Sequence, residues 1–193
     1  MKNKNKNIVV FASGSGSNAV KIYEYFSDFN NVNIVSLYCN NPKALVLEKF
    51  KKFNIKTVLF SKNDLKSNKF LSSLKKVNPD LIVLAGFLLK IPKEVTFCFK
   101  NKIINIHPAL LPLYGGKGMY GENIHKAVIK NKEKTSGLTI HYVNDKYDDG
   151  AIIFQKKISL EPNETPLSLS KKILKEEHTN YPAEIEKLLT NDQ

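Results

Sequence analysis

Asn105 and His107 stand two residues apart, at the end of an apolar run and just ahead of a stretch rich in Pro and Gly. In an extended backbone that spacing turns both side chains to the same side. An amide donor beside an imidazole can stabilise charge on a reacting oxygen and move a proton. A lone histidine is more often structural than catalytic, and the pairing at a strand end ahead of a loop puts the two readings level. Tyr147-Asp148-Asp149-Gly150 follows the next apolar run. A carboxylate placed near an imidazole favours its charged form and fixes its tautomer. The same turn also reads as a solvated one, in which Asp only bonds the backbone. His141, inside the apolar run Leu138–Val143, reads as a satisfied core residue.

A third cluster, Ser13-Gly14-Ser15-Gly16-Ser17-Asn18, separates an apolar run from a helical pattern. Glycines allow a tight turn and a close approach to a ligand, and the free N–H groups at a helix start attract an anion. Gly14-x-Gly16-x-x-Ala19 fits the dinucleotide fingerprint, which also needs an acid at the end of the second strand. That strand ends Tyr38-Cys39-Asn40-Asn41 and has no acid. A phosphate group is therefore the better-fitting ligand, and a plain turn capped by Ser or Asn is the competing reading. No Ser lies in a G-x-S-x-G context and neither Cys39 nor Cys98 adjoins a motif His, which disfavours covalent nucleophilic catalysis. The two cysteines show no zinc or redox spacing.

These residues need a scaffold, and the sequence supplies an alternating one. Apolar runs at Ile8–Ala12, Val32–Tyr38, Thr57–Phe60, Asp80–Phe87 and Lys102–Ile106 read as strands. Helical patterns fall between them, with Ala19, Ile22 and Phe26, then Ala44, Leu47 and Phe50, then Phe70 and Leu74 at core spacing. The alternation predicts an α/β fold: a Rossmann-like, mostly parallel twisted sheet with helices on both faces and a ligand beyond the carboxyl ends of the strands. Residues 107–122 lack periodicity and read as a long loop. Gly137–Val143 and Ala151–Leu160 read as two strands joined by an acidic turn, and Leu167–Leu189 as a last helix that Pro182 divides or kinks.

Composition narrows the function. The 193 residues include 42% hydrophobic and 25% charged side chains, enough for one domain with a sizeable core. The sequence lacks a membrane-length apolar run and the hydrophobic stretch of a signal peptide, so a cytoplasmic location is expected. The formal charge is +12, yet every one of the 30 basic residues is lysine. Without arginine a base-reading nucleic-acid binder is disfavoured, and a Lys- and Asn-rich coding bias accounts for much of the charge. Residues 1–100 carry 17 lysines against 6 acids, a surplus that suits an anionic ligand on that half.

IVVFASGSGSN, DLIVLAGF, NIHPALLP, SGLTIHYVNDKYDDGAIIFQ and EEHTNYP occur in this order across residues 7–189. Together they resemble the phosphoribosylglycinamide formyltransferase family. The resemblance implies one domain over 1–193, with a phosphate-binding half at 1–100 and a catalytic and folate-binding half at 101–193. It implies formyl transfer from the co-substrate 10-formyltetrahydrofolate to the amine of 5-phosphoribosylglycinamide in purine biosynthesis, with no metal. The family's catalytic Asn-His-Asp constellation falls on Asn105, His107 and Asp148. Its phosphate loop falls on Gly16, Ser17 and Asn18, and its ribose-binding carboxylate on Glu177. The folate ring would lie against Leu88, Leu89, Lys90 and Ile91 and the turn of Val143, Asn144 and Asp145. The partners implied are these small molecules alone, with neither nucleic acid nor membrane, in a monomer or homodimer.

The chain departs from the family in three places. Leu88-Leu89-Lys90 stands where Met-Arg is common after A-G-F, the glycine-rich loop Tyr114–Gly121 is longer than in the shortest members, and Asp149 fills a position usually small. The longer loop suggests a mobile flap, and the paired carboxylates leave Asp149 as a rival to Asp148. Relatives that use the same donor fit less well. A methionyl-tRNA formyltransferase needs a further C-terminal domain, and a formyltetrahydrofolate deformylase an N-terminal regulatory one. A non-catalytic module binding a phosphorylated metabolite or polyanion would leave Asn105, His107 and Asp148 unexplained.

Overall fold

The computed structural model describes residues 5–190; the lysine- and asparagine-rich start lies outside them at positions 1–4. Seven strands form one sheet: β1 (Lys6–Ala12), β2 (Val32–Cys39), β3 (Lys56–Leu59), β4 (Leu81–Leu84), β5 (Ile103–His107), β6 (Thr135–Tyr142) and β7 (Ile152–Ser159). Their order is β3-β2-β1-β4-β5-β6-β7. The first five run parallel, while β6 and β7 are antiparallel to their neighbours. The connection reverses direction between β1 and β4, so the loops leaving those strands diverge and open a crevice at their carboxyl ends.

Buried strands require cover on both faces, and alternate residues of β1 show how it is arranged. Ile8, Val10 and Ala12 pack with one set of helices: α1 (Ser17–Phe26), α2 (Leu45–Lys51), α5 (Glu122–Lys130) and α6 (Pro166–Thr190). Val9 and Phe11 face α3 (Asn68–Val77) and α4 (Lys93–Cys98) on the other side. Phe11 stacks on Tyr38 at 4.9 Å and meets Phe60, Phe70 and Phe87 edge-on or tilted within one aromatic cluster. The α/β, mostly parallel architecture expected from the sequence is the one observed.

Two short helices were not expected. In α4, six residues long, only Val95 and Thr96 are buried, too few for a periodic signal. In α5 the apolar pair Ile124 and Val128 is the helical signal, and it falls after a glycine-rich stretch that reads as loop. Pro182 does not divide the last helix, since α6 runs through it for 25 residues. Proline withholds one N–H from the ladder. In the turn before it, Thr179 Oγ1 and Asn180 Nδ2 donate to the carbonyls of Lys175 and Glu176, four residues back in each case.

α6 is tied to the sheet by Tyr181. Its hydroxyl is fully buried, 3.1 Å from the Leu84 carbonyl at the end of β4 and 3.3 Å from that of Ile104 in β5. Tyr181→Phe leaves the ring in place and removes the one hydroxyl proton that these two carbonyls share. The variant should lose about 1–2 kcal/mol, read as a lower urea midpoint with an unchanged slope.

Candidate active site

The residues with chemical potential converge on the carboxyl ends of β1, β4 and β5. The loop after β1 runs into α1, whose cap is Gly16 at φ 70° rather than a Ser or Asn side chain. That left-handed conformation suits glycine, and a Cβ there would stand 2.3 Å from Val46 Cγ2. α1 has no side-chain cap and no acid of its own in the first turn, so no side chain caps the amides at its start. Free N–H groups with the positive end of the helix dipole favour an anion.

Asn18, in that first turn, reaches across to α6. Its Nδ2 donates to Glu177 Oε2 at 2.7 Å, and both residues are buried. Burial pushes the Glu177 carboxyl up to about 7, against the opposing effect of the Asn18 hydrogen bond. Asn18 and Glu177 line one end of a cavity of about 580 Å³. Asn105, His107 and Asp148 line the same cavity, and Gly116–Gly121 forms another part of its wall. Gly16 and Ser17 stand at the helix start beside Asn18 but do not themselves line this cavity.

The β5–β6 register explains the polar cluster. Asn105 pairs across the strands with His141 and His107 with Thr139; directly opposed side chains share a face. Asn105 Nδ2 lies 3.2 Å from His141 Nε2, while His141 Nδ1 lies 2.9 Å from the Tyr142 carbonyl oxygen. That carbonyl can only accept, which places the proton on Nδ1 and leaves Nε2 to accept from Asn105. The other N–H of the Asn105 amide then remains for a ligand. Burial lowers the His141 pKa, although the Tyr142 carbonyl and Asp148 oppose it, and so favours the neutral ring this arrangement needs. His141 is thus buried, as a core residue would be, but its ring belongs to the site. The local pattern hides this, because it depends on which residue β6 places opposite Asn105.

His107 is 4% exposed. Its Nε2 lies 2.8 Å from the Tyr114 carbonyl oxygen, so Nε2 carries a proton and Nδ1 faces Asp148 Oδ2 at 3.7 Å. Asp148 Oδ2 accepts from the Gly116 amide at 2.9 Å, and Oδ1 lies 3.7 Å from His141 Nε2. One carboxylate therefore faces two imidazoles. Asp149 points elsewhere: it accepts from Asn144 Nδ2 at 2.9 Å and sits 3.7 Å from Lys146 Nζ at the exposed edge of the turn. His125 of α5, buried and lining the large cavity, is a further imidazole that the sequence reading did not single out; burial lowers its pKa.

A smaller cavity of about 70 Å³ brings Leu88, Leu89, Lys90 and Ile91 against Val143 and Asn144, with Asn105, His141 and Asp148 in its wall. It shares Asn105 and Asp148 with the large cavity. It also shares Leu88–Ile91 with an open groove of about 910 Å³, where Asp145 lies. The small space is the junction of the two, wider on either side. Among the described residues, no group of three or more His, Cys, Asp or Glu side chains is placed to hold a metal ion. No helix among them is long and apolar enough to cross a membrane.

A mostly parallel α/β sheet with an uncapped helix start and an amide–imidazole–carboxylate cluster at its strand ends defines a protein of the doubly wound class. Residues 6–185 match the formyl transferase family, and the chain belongs to that family. It is 40% identical over 185 residues to the chloroplastic phosphoribosylglycinamide formyltransferase of Arabidopsis thaliana, covering 92% of this chain and 63% of that protein. The chain thus spans under two thirds of the length of this plant relative. With the phosphoribosylglycinamide formyltransferase of Bacillus subtilis (strain 168) it shares 33% identity over 190 residues, 95% of each chain. The crystal structure of the Anaplasma phagocytophilum phosphoribosylglycinamide formyltransferase superposes with a TM-score of 0.88 at 31% identity, covering 97% of this chain and 88% of that one.

The raised Glu177 pKa gives the protein a distinct pH dependence. A folded value near 7, above the ordinary 4.5, means the folded state holds this proton more tightly than the unfolded chain. The resulting stability is complete below about 4.5 and is lost as the pH rises through about 7. Its size is on the order of 3 kcal/mol. The lowered imidazoles of His125 and His141 act oppositely, costing stability as the pH falls below their ordinary 6.5. Comparing urea midpoints of the wild type and Glu177→Gln at about pH 5 and pH 8 isolates the carboxyl contribution. The variant should gain relative stability at the higher pH, and parallel curves would refute the assignment.

Proposed function

We propose that the chain transfers the formyl group of 10-formyltetrahydrofolate to the amine of 5-phosphoribosylglycinamide, a step of purine biosynthesis. The observation that carries the reading is the placement of Asn105, His107 and Asp148 where two binding spaces meet. One space is lined by Asn18, in the first turn of α1, and by Glu177, next to the uncapped helix start, a pairing that suits a phosphate and a ribose diol. The other lies between Leu88–Ile91 and the Val143–Asp148 turn, whose backbone edges and apolar side chains suit a flat heterocycle. Names of the similar bacterial and plant proteins support the same substrates. The folate is a consumed co-substrate, and the reading requires no metal, no nucleic acid and no membrane. The cytoplasm, where the sequence suggests the protein resides, supplies both substrates.

In this reading the acceptor amine is the nucleophile, which is why the site has no Ser or Cys in that role. The amine nitrogen bonds to the formyl carbon, the bond from that carbon to the folate nitrogen breaks, and the amine proton ends on the departing nitrogen. Negative charge develops on the formyl oxygen between these events. Asn105 meets it with the amide hydrogen that His141 leaves free, and His107 meets it through Nδ1, since Nε2 is engaged by Tyr114. Each preorganised donor contributes roughly 3–4 kcal/mol. Asp148, 3.7 Å from Nδ1, supports positive charge on the ring and assists the proton transfer through an intervening water. Holding both substrates together contributes a comparable or larger entropic share.

The test is the folate absorbance change when protein meets a 10-formylfolate donor with and without 5-phosphoribosylglycinamide. The signal should require the acceptor. A signal without it would indicate hydrolysis, and silence from a folded protein that still binds phosphate would indicate a binding module. In the active protein, Asn105→Ala and His107→Ala should each lower kcat about 100- to 1000-fold. Asp148→Asn should lose most turnover while Asp149→Gly keeps it; the reverse pattern would move the catalytic carboxylate to Asp149.

A further inference from the structure

The phosphate loop is braced from outside the cavity by α2, and one contact in that brace carries charge. Val46 N donates to the Gly14 carbonyl at 3.1 Å, and the Val46 side chain occupies the space a Cβ at Gly16 would need. Between these two contacts, Lys49 Nζ donates to the Ser15 carbonyl at 2.8 Å. Leu111–Pro112 is the cis peptide among the described residues, so Ser15–Gly16 is trans. A trans peptide points its C=O and N–H in opposite directions. Anchoring the oxygen on Lys49 therefore turns the Gly16 N–H away from α2, and the same charge polarises that peptide toward donation.

Lys49 has no competing ion pair. Neighbouring Lys51 is engaged by Glu48, but among the described residues no carboxylate lies within ion-pair distance of Lys49. An ammonium group has three donors, and the Ser15 carbonyl uses one. A second observation points to a ligand at this helix start, one with a hydrogen-bond donor such as a hydroxyl. Asn18 is 8% exposed, lines the large cavity, and keeps its Oδ1 without a partner.

We propose that Lys49 is a positioning and specificity residue for the acceptor's phosphate: it holds the Ser15–Gly16 peptide in its donating orientation and places positive charge behind that peptide, on the side away from a bound phosphate monoester. The proposal rests on the reading of this loop as the acceptor's phosphate site. A phosphate monoester carries about −1.5 to −2 charge near neutral pH, so the loop amides alone leave charge for a neighbouring cation to offset. An exposed lysine contributes modestly, and the expected effect is correspondingly limited.

The test compares wild type with Lys49→Met, Lys49→Gln and Lys49→Arg. In the first two, KM for 5-phosphoribosylglycinamide should rise about fivefold, with kcat and the donor KM nearly unchanged and the difference shrinking as salt is added. Lys49→Arg should restore most of the affinity, and the dephosphorylated acceptor should not distinguish the variants. A general structural role would instead move both KM values and kcat together. Inorganic phosphate gives a readout independent of turnover: it should raise the thermal midpoint of the wild type more than that of Lys49→Met or Lys49→Gln. An unchanged acceptor KM with an unchanged phosphate response would overturn the proposal, as would an equal loss toward the dephosphorylated acceptor. If the wild type showed no turnover yet the phosphate response fell in both variants, the proposed reaction would fail and the role of Lys49 would stand.

Discussion

Ser13 sits where the ends of β1, β2 and β4 meet, and each of its polar groups is used by a different neighbour. Its N–H donates to the Gly86 carbonyl at 3.1 Å, and its hydroxyl donates to Asn40 Oδ1 at 2.6 Å. The same hydroxyl accepts from the Leu88 amide at 3.0 Å, while its carbonyl accepts from Asn41 Nδ2 at 3.3 Å. At a topological switch point the strands cease to pair and their last backbone groups lose ladder partners. Buried groups of that kind must find others or cost on the order of 1–3 kcal/mol each. One small hydroxyl meets the need for three loops together. It sets the start of the phosphate loop and the start of the Leu88–Ile91 segment from a single point, so the two binding spaces have a fixed separation.

The second organising element is the change from parallel to antiparallel pairing at β5. Up to that strand, crossover helices separate consecutive strands, and residues close in the sheet are far apart in sequence. Beyond it, β6 returns alongside β5 and places His141 opposite Asn105. The turn that follows carries Asp148 back over the same strand end, where it faces both imidazoles. An antiparallel pair thus brings polar residues from two strands and one turn together at the mouth of the parallel half.

What could be read in the sequence follows from this division. Continuous apolar runs such as Leu81–Leu84 and the glycine loop before α1 are local signals, and they were legible as strand and turn. Asn105 and His107 were legible because a two-residue spacing on a strand needs no partner to interpret. His141 was not: its role depends on cross-strand register, and from its own neighbours Leu138–Val143 it is an ordinary buried residue. Separating Asp148 from Asp149 likewise required the turn itself, where Asp148 adopts φ 51° and faces inward while Asp149 bonds Asn144. The helix holding His125 was missed because its apolar face is two residues wide and follows a glycine-rich loop.

The wall formed by residues 114–121 is tied to these same groups, which bears on the expectation of a flap. Tyr114 offers its carbonyl to His107, and the Gly116 amide donates to Asp148. The Tyr114 hydroxyl donates to Glu133 and accepts from Asn131, so the base of the loop is fixed on both sides of its chain. Asp148 holds a left-handed backbone that costs a side-chain-bearing residue roughly 1–2 kcal/mol, and the Gly116 bond is one of the interactions offsetting it. Displacing the base of the loop would release the His107 Nε2 proton and free the Asp148 carboxylate at once. Motion that leaves His107 and Asp148 in place is therefore confined to the segment beyond Gly116, where Gly118 and Gly121 adopt positive φ, the hydrogen bonds are within the loop or to Asn123, and Met119 packs on the core.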